Sequence, residues 1–312
     1  MKMESSQLWK NLSQELFHNV GDDFLCNFRE PGKANNRLAA WDPFDGTMRF
    51  FKFLLYNQCK AKPDLFFEHY QRLGNTLLGN PVTIRVVRRG MSVDVNLDHF
   101  FSVEEFSFLA ENINLAEVRQ IVEIGAGFGR TAHALLKLCS TVETYTIIDL
   151  PNVLKLSSLY LKAVLDDREF AKLNFVNALG IADTNALNCS SADIVINIDS
   201  YQEMKPDVID FYMDNVASHA RYFYSKNAIG KYRPESIGLP SGPEAETNEI
   251  FQLGRSREII DIFCNSELEV ARTRHVDAYR PSAHFRVIAE APLDVFPYYH
   301  NTLYARDNGQ AA

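Results

Sequence analysis

Val122-Glu123-Ile124-Gly125-Ala126-Gly127-Phe128-Gly129-Arg130 lies where a short apolar run gives way to a helical pattern. Ile121 to Ile124 reads as a buried strand, and Ala132, Leu135, Leu136 and Leu138 follow at helical spacing. Glycines at such a junction allow a tight turn and a close backbone approach to a ligand. The free N–H groups of the helix start then face that ligand. In an open parallel sheet this first crossover lies at the carboxyl edge, beside the topological switch point.

Downstream of this turn, strands and helices alternate. Tyr145–Asp149 is the next strand, and Pro151 suits the first turn of a helix over Asn152–Leu165. Leu173–Val176, Ile194–Ile198 and Tyr222–Tyr224 read as further strands, with a helix from Pro206 to Val216 between the last two. This alternation predicts βαβ units and a parallel sheet covered on both faces. Two final strands are expected at Leu268–Arg272 and His284–Ala289, preceded by a helix over Glu258–Phe263. The short loop Thr273–Ser282 leaves no room for a crossover helix, so this last pair should be antiparallel.

Upstream, the texture differs. Ser5 or Ser6 can cap a helix with Leu8, Trp9, Leu12, Leu16 and Val20 on one stripe, and a polar stretch follows from Asn27 to Asn36. Met48–Tyr56 and Asp64–Leu73 look helical. Val82–Val87 and Ser92–Val95 flank Gly90 as a hairpin, and Ser102-Val103-Glu104-Glu105 has the form of a capping box opening a helix. We therefore expect two domains: an α-rich N-terminal cap with a β-hairpin over residues 1–115, and an α/β domain over residues 116–312. Asn227–Gly254, rich in Gly and Pro, is the one long irregular stretch, and a loop of that length inside a domain is commonly a lid.

Composition narrows the function. Of the 312 residues, 32 are Lys or Arg and 40 are Asp or Glu, a formal net charge of −8. An acidic chain without a basic run repels phosphate backbones, so nucleic acid is not an expected partner. No stretch reaches the roughly 18 consecutive apolar residues of a membrane helix, and the N-terminal residues lack the form of a secretion signal. The five cysteines are scattered without a C-x-x-C pair. This pattern predicts free thiols in a reducing, cytoplasmic setting rather than disulfides or a zinc site.

The glycine spacing discriminates between cofactors. The nicotinamide fingerprint G-x-G-x-x-G requires glycine at position 130, where this chain has Arg130. Glu123, two residues before the first glycine, can receive an ammonium group. Nicotinamide cofactors have none; S-adenosylmethionine (SAM) does.

E-x-G-x-G-x-G at the end of the first strand resembles motif I of class I SAM-dependent methyltransferases. Asp149, twenty residues past Gly129, resembles the acidic residue that holds both ribose hydroxyls, and Asp149-Leu150-Pro151 resembles the D-L-P signature of several small-molecule O-methyltransferases. The likeness covers about residues 116–290. The phrases from Glu123 to His133 and from Asn197 to Met204, with Asn96-Leu97-Asp98 and Phe106–Leu109 before them, are similar to bacterial sugar O-methyltransferases. The resemblance implies a Rossmann-like class I methyltransferase sheet, mostly parallel with the last strand antiparallel. It further implies methyl transfer from SAM to a hydroxyl of a sugar or glycosylated metabolite, as in secondary metabolism, with a homodimer as one arrangement.

On this basis the cofactor-binding candidates are Glu123, Gly125, Gly127, Gly129, Asp149, Leu150, Asn177, Ala178 and Asn197, with Asn177 or Asp183 at the adenine. The catalytic candidates are Asp199, Glu203 and His99. A sugar hydroxyl is a weak nucleophile, so a base or a metal must assist it. Asp199 and Glu203 follow the fourth strand, which faces the methyl group in this architecture. His99 enters the methyltransferase domain, His275 follows the expected sixth strand, and His133 reads as structural. Some related enzymes hold Mg²⁺ with carboxylates after the fourth and fifth strands. Here Ser225-Lys226-Asn227 supplies none, which argues against a metal site. The alternatives are an NAD(P)-dependent oxidoreductase, a methyltransferase acting on nitrogen or carbon, and a non-catalytic SAM-binding partner subunit.

Overall fold

A computed structural model describes residues 10, 21–28, 48–180, 192–240 and 249–307. The expected helix over Ser5–Val20, most of the polar stretch 27–36, Asp183 and part of the expected lid lie outside these residues. In chain order the structure has α1 (Asp22–Asn27), α2 (Met48–Ala61), α3 (Asp64–Arg72), β1 (Ile84–Arg88), β2 (Met91–Val95) and α4 (Leu97–Asn112). Then come β3 (Gln120–Ile124), α5 (Arg130–Leu138), β4 (Thr144–Asp149), α6 (Pro151–Val164), α7 (Asp167–Phe170), β5 (Leu173–Asn177) and β6 (Ile194–Ile198). The chain continues with α8 (Pro206–Asn215), β7 (Tyr222–Ala228), α9 (Asn265–Ala278), β8 (Phe285–Pro292) and β9 (Tyr299–Arg306).

Seven strands form one sheet in the order β5-β4-β3-β6-β7-β9-β8. Its first five strands follow the doubly wound order in which the chain starts in mid-sheet and reverses direction. The pairs β3·β6 and β6·β7 are parallel, whereas β9 runs antiparallel to both β7 and β8. The fold is therefore the mostly parallel α/β sheet with antiparallel last strands that the sequence predicts. No helix among the described residues is long and apolar enough to cross a membrane.

The chain divides into two compact units. The first comprises Arg119–Gly125 and the described residues from Asn177 on. Every position of β6 is buried, as its unbroken apolar run requires, and Asp193 fastens the foot of β3 by accepting from the N–H groups of Arg119 and Gln120 at 2.7 and 2.9 Å. The second holds the described residues between positions 12 and 118 together with Ala126–Val176. Here β1 and β2 form the expected hairpin, with Arg88 opposite Met91. Phe28, Phe128 and Tyr160 meet edge to face, with ring centroids 4.8–6.2 Å apart.

Three sequence expectations require correction. Ser102 does not open a helix: α4 begins five residues earlier, where the Asn96 side chain accepts from the His99 N–H, and Ser102 Oγ donates to the Asp98 carbonyl inside the helix. Leu268–Arg272 is helical, because Leu268, Ala271 and His275 are buried at helical spacing within α9. The missing sheet member is β9. Glu258–Phe263 is not a helix; Ile259 instead bridges in parallel to Lys231.

Candidate functional site

The glycine turn joins β3 to α5. Gly125, Gly127 and Gly129 have φ of +74°, +59° and +93°, conformations closed to most side chains. In the first unit, a Cβ on Gly125 would overlap Ser200 Oγ and Cβ. Ser200 is held in place from behind: its hydroxyl donates to the Ile124 carbonyl at 3.1 Å and accepts from Asn197 Nδ2 at 2.6 Å. Asn197 also donates to Ile124 O (2.9 Å) and accepts from Asn227 Nδ2 (2.8 Å). Asn197, assigned to the cofactor from the sequence, is thus fully buried and occupied by the strand ends. Ser200 and Asn227 are not among the site candidates read from the sequence; a polar side chain inside the apolar run of β6 is the available signal. Glu123 is also buried, only 2% exposed.

In the second unit the turn leads to Asp149. Gly127 N–H donates to Asp149 Oδ2 at 3.1 Å, and Leu150 N–H donates to Oδ1 at 2.7 Å. Two of the three glycine amides are thus spoken for within the turn, since Gly129 N–H donates to the Ala126 carbonyl at 3.0 Å. Burial pushes the Asp149 carboxyl up to about 7, against the opposing pull of these backbone donors. The Ala126 N–H is a third backbone donor to this carboxyl. Arg130 turns away into a buried pair with Glu105.

His99 lies in the same unit, fully buried. Its Nδ1 meets Asn96 Oδ1 at 3.1 Å, and its Nε2 lies 3.2 Å from His133 Nδ1 and 3.0 Å from the Tyr160 hydroxyl. His133 Nε2 donates to the Leu73 carbonyl at 2.8 Å. Both rings therefore belong to one internal network.

Returning to the first unit, β6 delivers Asp199 with φ of +63°, a strained conformation for a non-glycine residue. The Tyr299 hydroxyl donates to Asp199 Oδ1 at 2.6 Å, and Gln202 Nε2 donates both to that oxygen and to Tyr299 Oη. Gln202 Oε1 accepts from the Ala228 N–H, closing the arrangement. Burial and the adjacent Asp199 charge push the Tyr299 hydroxyl far above its ordinary range, so it remains a donor. Glu203 lies one residue on, in a short 3-10 turn over Tyr201–Glu203. Lys231 donates from Nζ to the Gln202 carbonyl at 2.8 Å. Tyr232 and Tyr298 meet edge to face at 5.4 Å, and Tyr298 leans on Tyr299 at 5.0 Å.

The remaining candidates have surroundings of their own. Asn177 is exposed, its side chain accepting from the Leu179 N–H, and Ala178 starts a 3-10 turn. His275 does not follow a strand; it is buried in α9 and bonded to Ser256 Oγ at 2.8 Å. Ser225-Lys226-Asn227 does not follow the fifth strand of the parallel run but forms the buried end of β7. Among the described residues no group of three or more His, Cys, Asp and Glu side chains could hold a metal ion.

No family model matches the sequence, and no curated protein matches it. Solved structures do. They include the mitomycin 7-O-methyltransferase MmcR, at 14% identity and a TM-score of 0.42, over 66% of this chain and 56% of that one. The methyltransferase domain of bacterial CtHen1 matches at 12% identity and a TM-score of 0.46, over 68% of this chain and all of that one. Human N-acetylserotonin methyltransferase in complex with SAM matches at 13% identity and a TM-score of 0.42, over 67% of this chain and 54% of that one.

Proposed function

We propose that the chain is a SAM-dependent O-methyltransferase acting on a hydroxyl of a small molecule, a sugar or glycoside. The observation that carries this reading is the Gly127–Asp149 hydrogen bond at a turn of left-handed glycines, which fixes a carboxylate beside the bend in the chain. In this reading Asp149 accepts from the ribose hydroxyls, with Leu150 N–H holding it. Glu123 faces the ammonium group, Gly125, Gly127 and Gly129 give the backbone its close approach, and Asn177 with Ala178 borders the adenine. SAM supplies an electrophilic methyl group on a sulfonium.

The chain's own task is then to orient the acceptor and take up its proton. Asp199 and Glu203 follow the fourth parallel strand, where such groups are needed. The half-buried Tyr232 and Tyr298 offer aromatic faces on which a sugar ring can stack. His99 serves by ordering its network. Residues 1–115 act as a cap over the acceptor or as a homodimer contact, in a cytoplasmic protein.

Calorimetry with S-adenosylhomocysteine and with NADH tests the reading. Binding of the first and not the second is expected, because Arg130 stands where a nicotinamide fingerprint needs glycine. Binding of NADH alone would reverse the assignment. Replacement of both Asp199 and Glu203 by their amides should slow transfer to oxygen far more than transfer to nitrogen.

A further inference from the structure

We propose that the amine of Lys231 receives the proton of the acceptor hydroxyl, while Asp199, held by Tyr299 and Gln202, orients that hydroxyl; this rests on the methyltransferase reading above. The division of labour follows from what each group already binds. Asp199 Oδ1 takes two donors, Tyr299 Oη and Gln202 Nε2. Donors on a carboxylate stabilise its ionised form and weaken it as a base. A carboxylate held ionised and fixed in place in this way suits alignment of the hydroxyl.

Lys231 is placed differently. The residue is 9% exposed, and among the described residues its Nζ donates to the Gln202 carbonyl at 2.8 Å. The backbone around it is fixed on both sides: its N–H donates to the Glu258 carbonyl at 2.7 Å, and Ile260 N–H donates to its own carbonyl at 2.8 Å. Gly230 lets these segments close, since a Cβ there would stand 3.0 Å from the Glu258 carbonyl. The chain thus holds an amine beside the Asp199–Gln202 turn on a rigid support.

Among the described residues, the groups that bear on this amine are these. Glu203 favours its charged form, and burial opposes it more strongly, pushing the amine down to about 8. Asp199 and Tyr299 are linked to it through Gln202, which bonds to all three. Glu258 offers its backbone carbonyl, while its side chain pairs with Arg274. Tyr232, the next residue, packs on Tyr298. A base poised near neutral pH is the kind that proton transfer favours. In the step itself, the acceptor oxygen bonds to the methyl carbon as the carbon–sulfur bond breaks. The hydroxyl proton passes to the Lys231 lone pair, and the resulting ammonium later releases it to water.

Two measurements test this. The first is ¹³C NMR of protein labelled at lysine Cε, with S-adenosylhomocysteine present; the resonance absent from Lys231→Met identifies the residue. It should titrate clearly below the other lysines. Titration alongside them would overturn the proposal, with no acceptor required.

The second is the pH dependence of methyl transfer from SAM to a panel of monosaccharides, sugar phosphates and simple phenols. Wild-type turnover should rise with pH as the amine loses its proton. Lys231→Met and Lys231→Arg should each lose about 10²- to 10⁴-fold in kcat together with that rise. Asp199→Asn should raise KM and keep the rise. A Lys231→Met variant within about threefold of wild type, or one that keeps the rise, would overturn the proposal. If wild type gives no heat with S-adenosylhomocysteine, it is the methyltransferase reading that fails.

Discussion

Arg130 and Glu105 form a two-pronged ion pair, with Nη1 to Oε2 at 2.7 Å and Nη2 to Oε1 at 2.8 Å and both side chains buried. Arg130 opens α5 directly after the glycine turn, and Glu105 lies on α4. The pair thus ties the helix that starts at the turn to the helix beside it. Nη1 also donates to Ser102 Oγ at 3.1 Å.

Removing one partner from such a pair strands the other charge in the interior. Glu105→Gln or Arg130→Met alone should destabilise the protein by about 3–5 kcal/mol in denaturant unfolding. The double variant Arg130→Met/Glu105→Leu should recover most of this, because a buried pair and an apolar pair of similar volume are often close in energy. If the double variant loses as much as the sum of the singles, the stranded-charge explanation fails.

Gly125 and Ser200 are packed so closely that a methyl group cannot enter. With φ of +74° the position is also strained for any L side chain. Gly125→Ala should therefore abolish S-adenosylhomocysteine binding and lower Tm by several degrees. Ser200→Ala should not rescue it, because Ser200 Cβ itself lies in the way. Ser200→Gly should rescue in part, relieving the overlap but not the dihedral strain. Rescue by Ser200→Ala would show that the hydroxyl alone, and not the backbone position, closes the site.

The parallel half of the sheet is legible because β3, β4 and β6 are largely buried apolar runs that stop at Gly125, Asp149 and Asp199. The antiparallel edge is not. In β9, His300, Asn301 and Thr302 are buried yet polar, so no apolar run announces a strand. Its place is set by register with β7, where Tyr299 pairs with Ala228. That pairing brings Tyr299 to Asp199 across 100 positions of sequence. Residues such as Tyr299, Gln202 and Lys231 carry no local signature, because what they do depends on partners far along the chain. Glu105 shows the converse: a valid local motif was outcompeted when Asn96 capped the helix first and Arg130 claimed the carboxylate.

Asp149 should make both stability and ligand binding depend on pH, in opposite senses. Its carboxyl is raised from an ordinary carboxylate value to about 7 in the folded protein. The folded state therefore favours the protonated form, and stability is lost as pH rises from about 4 to about 7. Asp149→Asn should remove that loss, raising Tm at pH 8 and leaving it unchanged near pH 4. Ribose hydroxyls need the ionised carboxylate as acceptor, so affinity for S-adenosylhomocysteine should climb between pH 6 and pH 8. Asp149→Asn should cost about 10²-fold in affinity at pH 8, in line with hydrogen bonds to a charged group. Calorimetry across this range checks both; a flat affinity profile in wild type would remove Asp149 from the ribose.

The buried histidines have tautomers that their partners dictate. A carbonyl can only accept, so the 2.8 Å contact with Leu73 O places a hydrogen on His133 Nε2. Asn96 donates through Nδ2 to the Thr76 carbonyl at 2.9 Å, so its Oδ1 is an acceptor and His99 carries its hydrogen on Nδ1. The facing atoms, His99 Nε2 and His133 Nδ1, are then both lone pairs, 3.2 Å apart, and each lies 3.0 Å from the Tyr160 hydroxyl. That hydroxyl has one hydrogen to divide between them. Long-range ¹H–¹⁵N spectra at pH 8 should show the Nδ1–H form of His99 and the Nε2–H form of His133. Tyr160→Phe removes the shared hydrogen, and should cost about 1–3 kcal/mol of stability at pH 8. If Tyr160→Phe leaves stability unchanged at pH 8, the ring is there for packing and the hydroxyl does not separate the lone pairs.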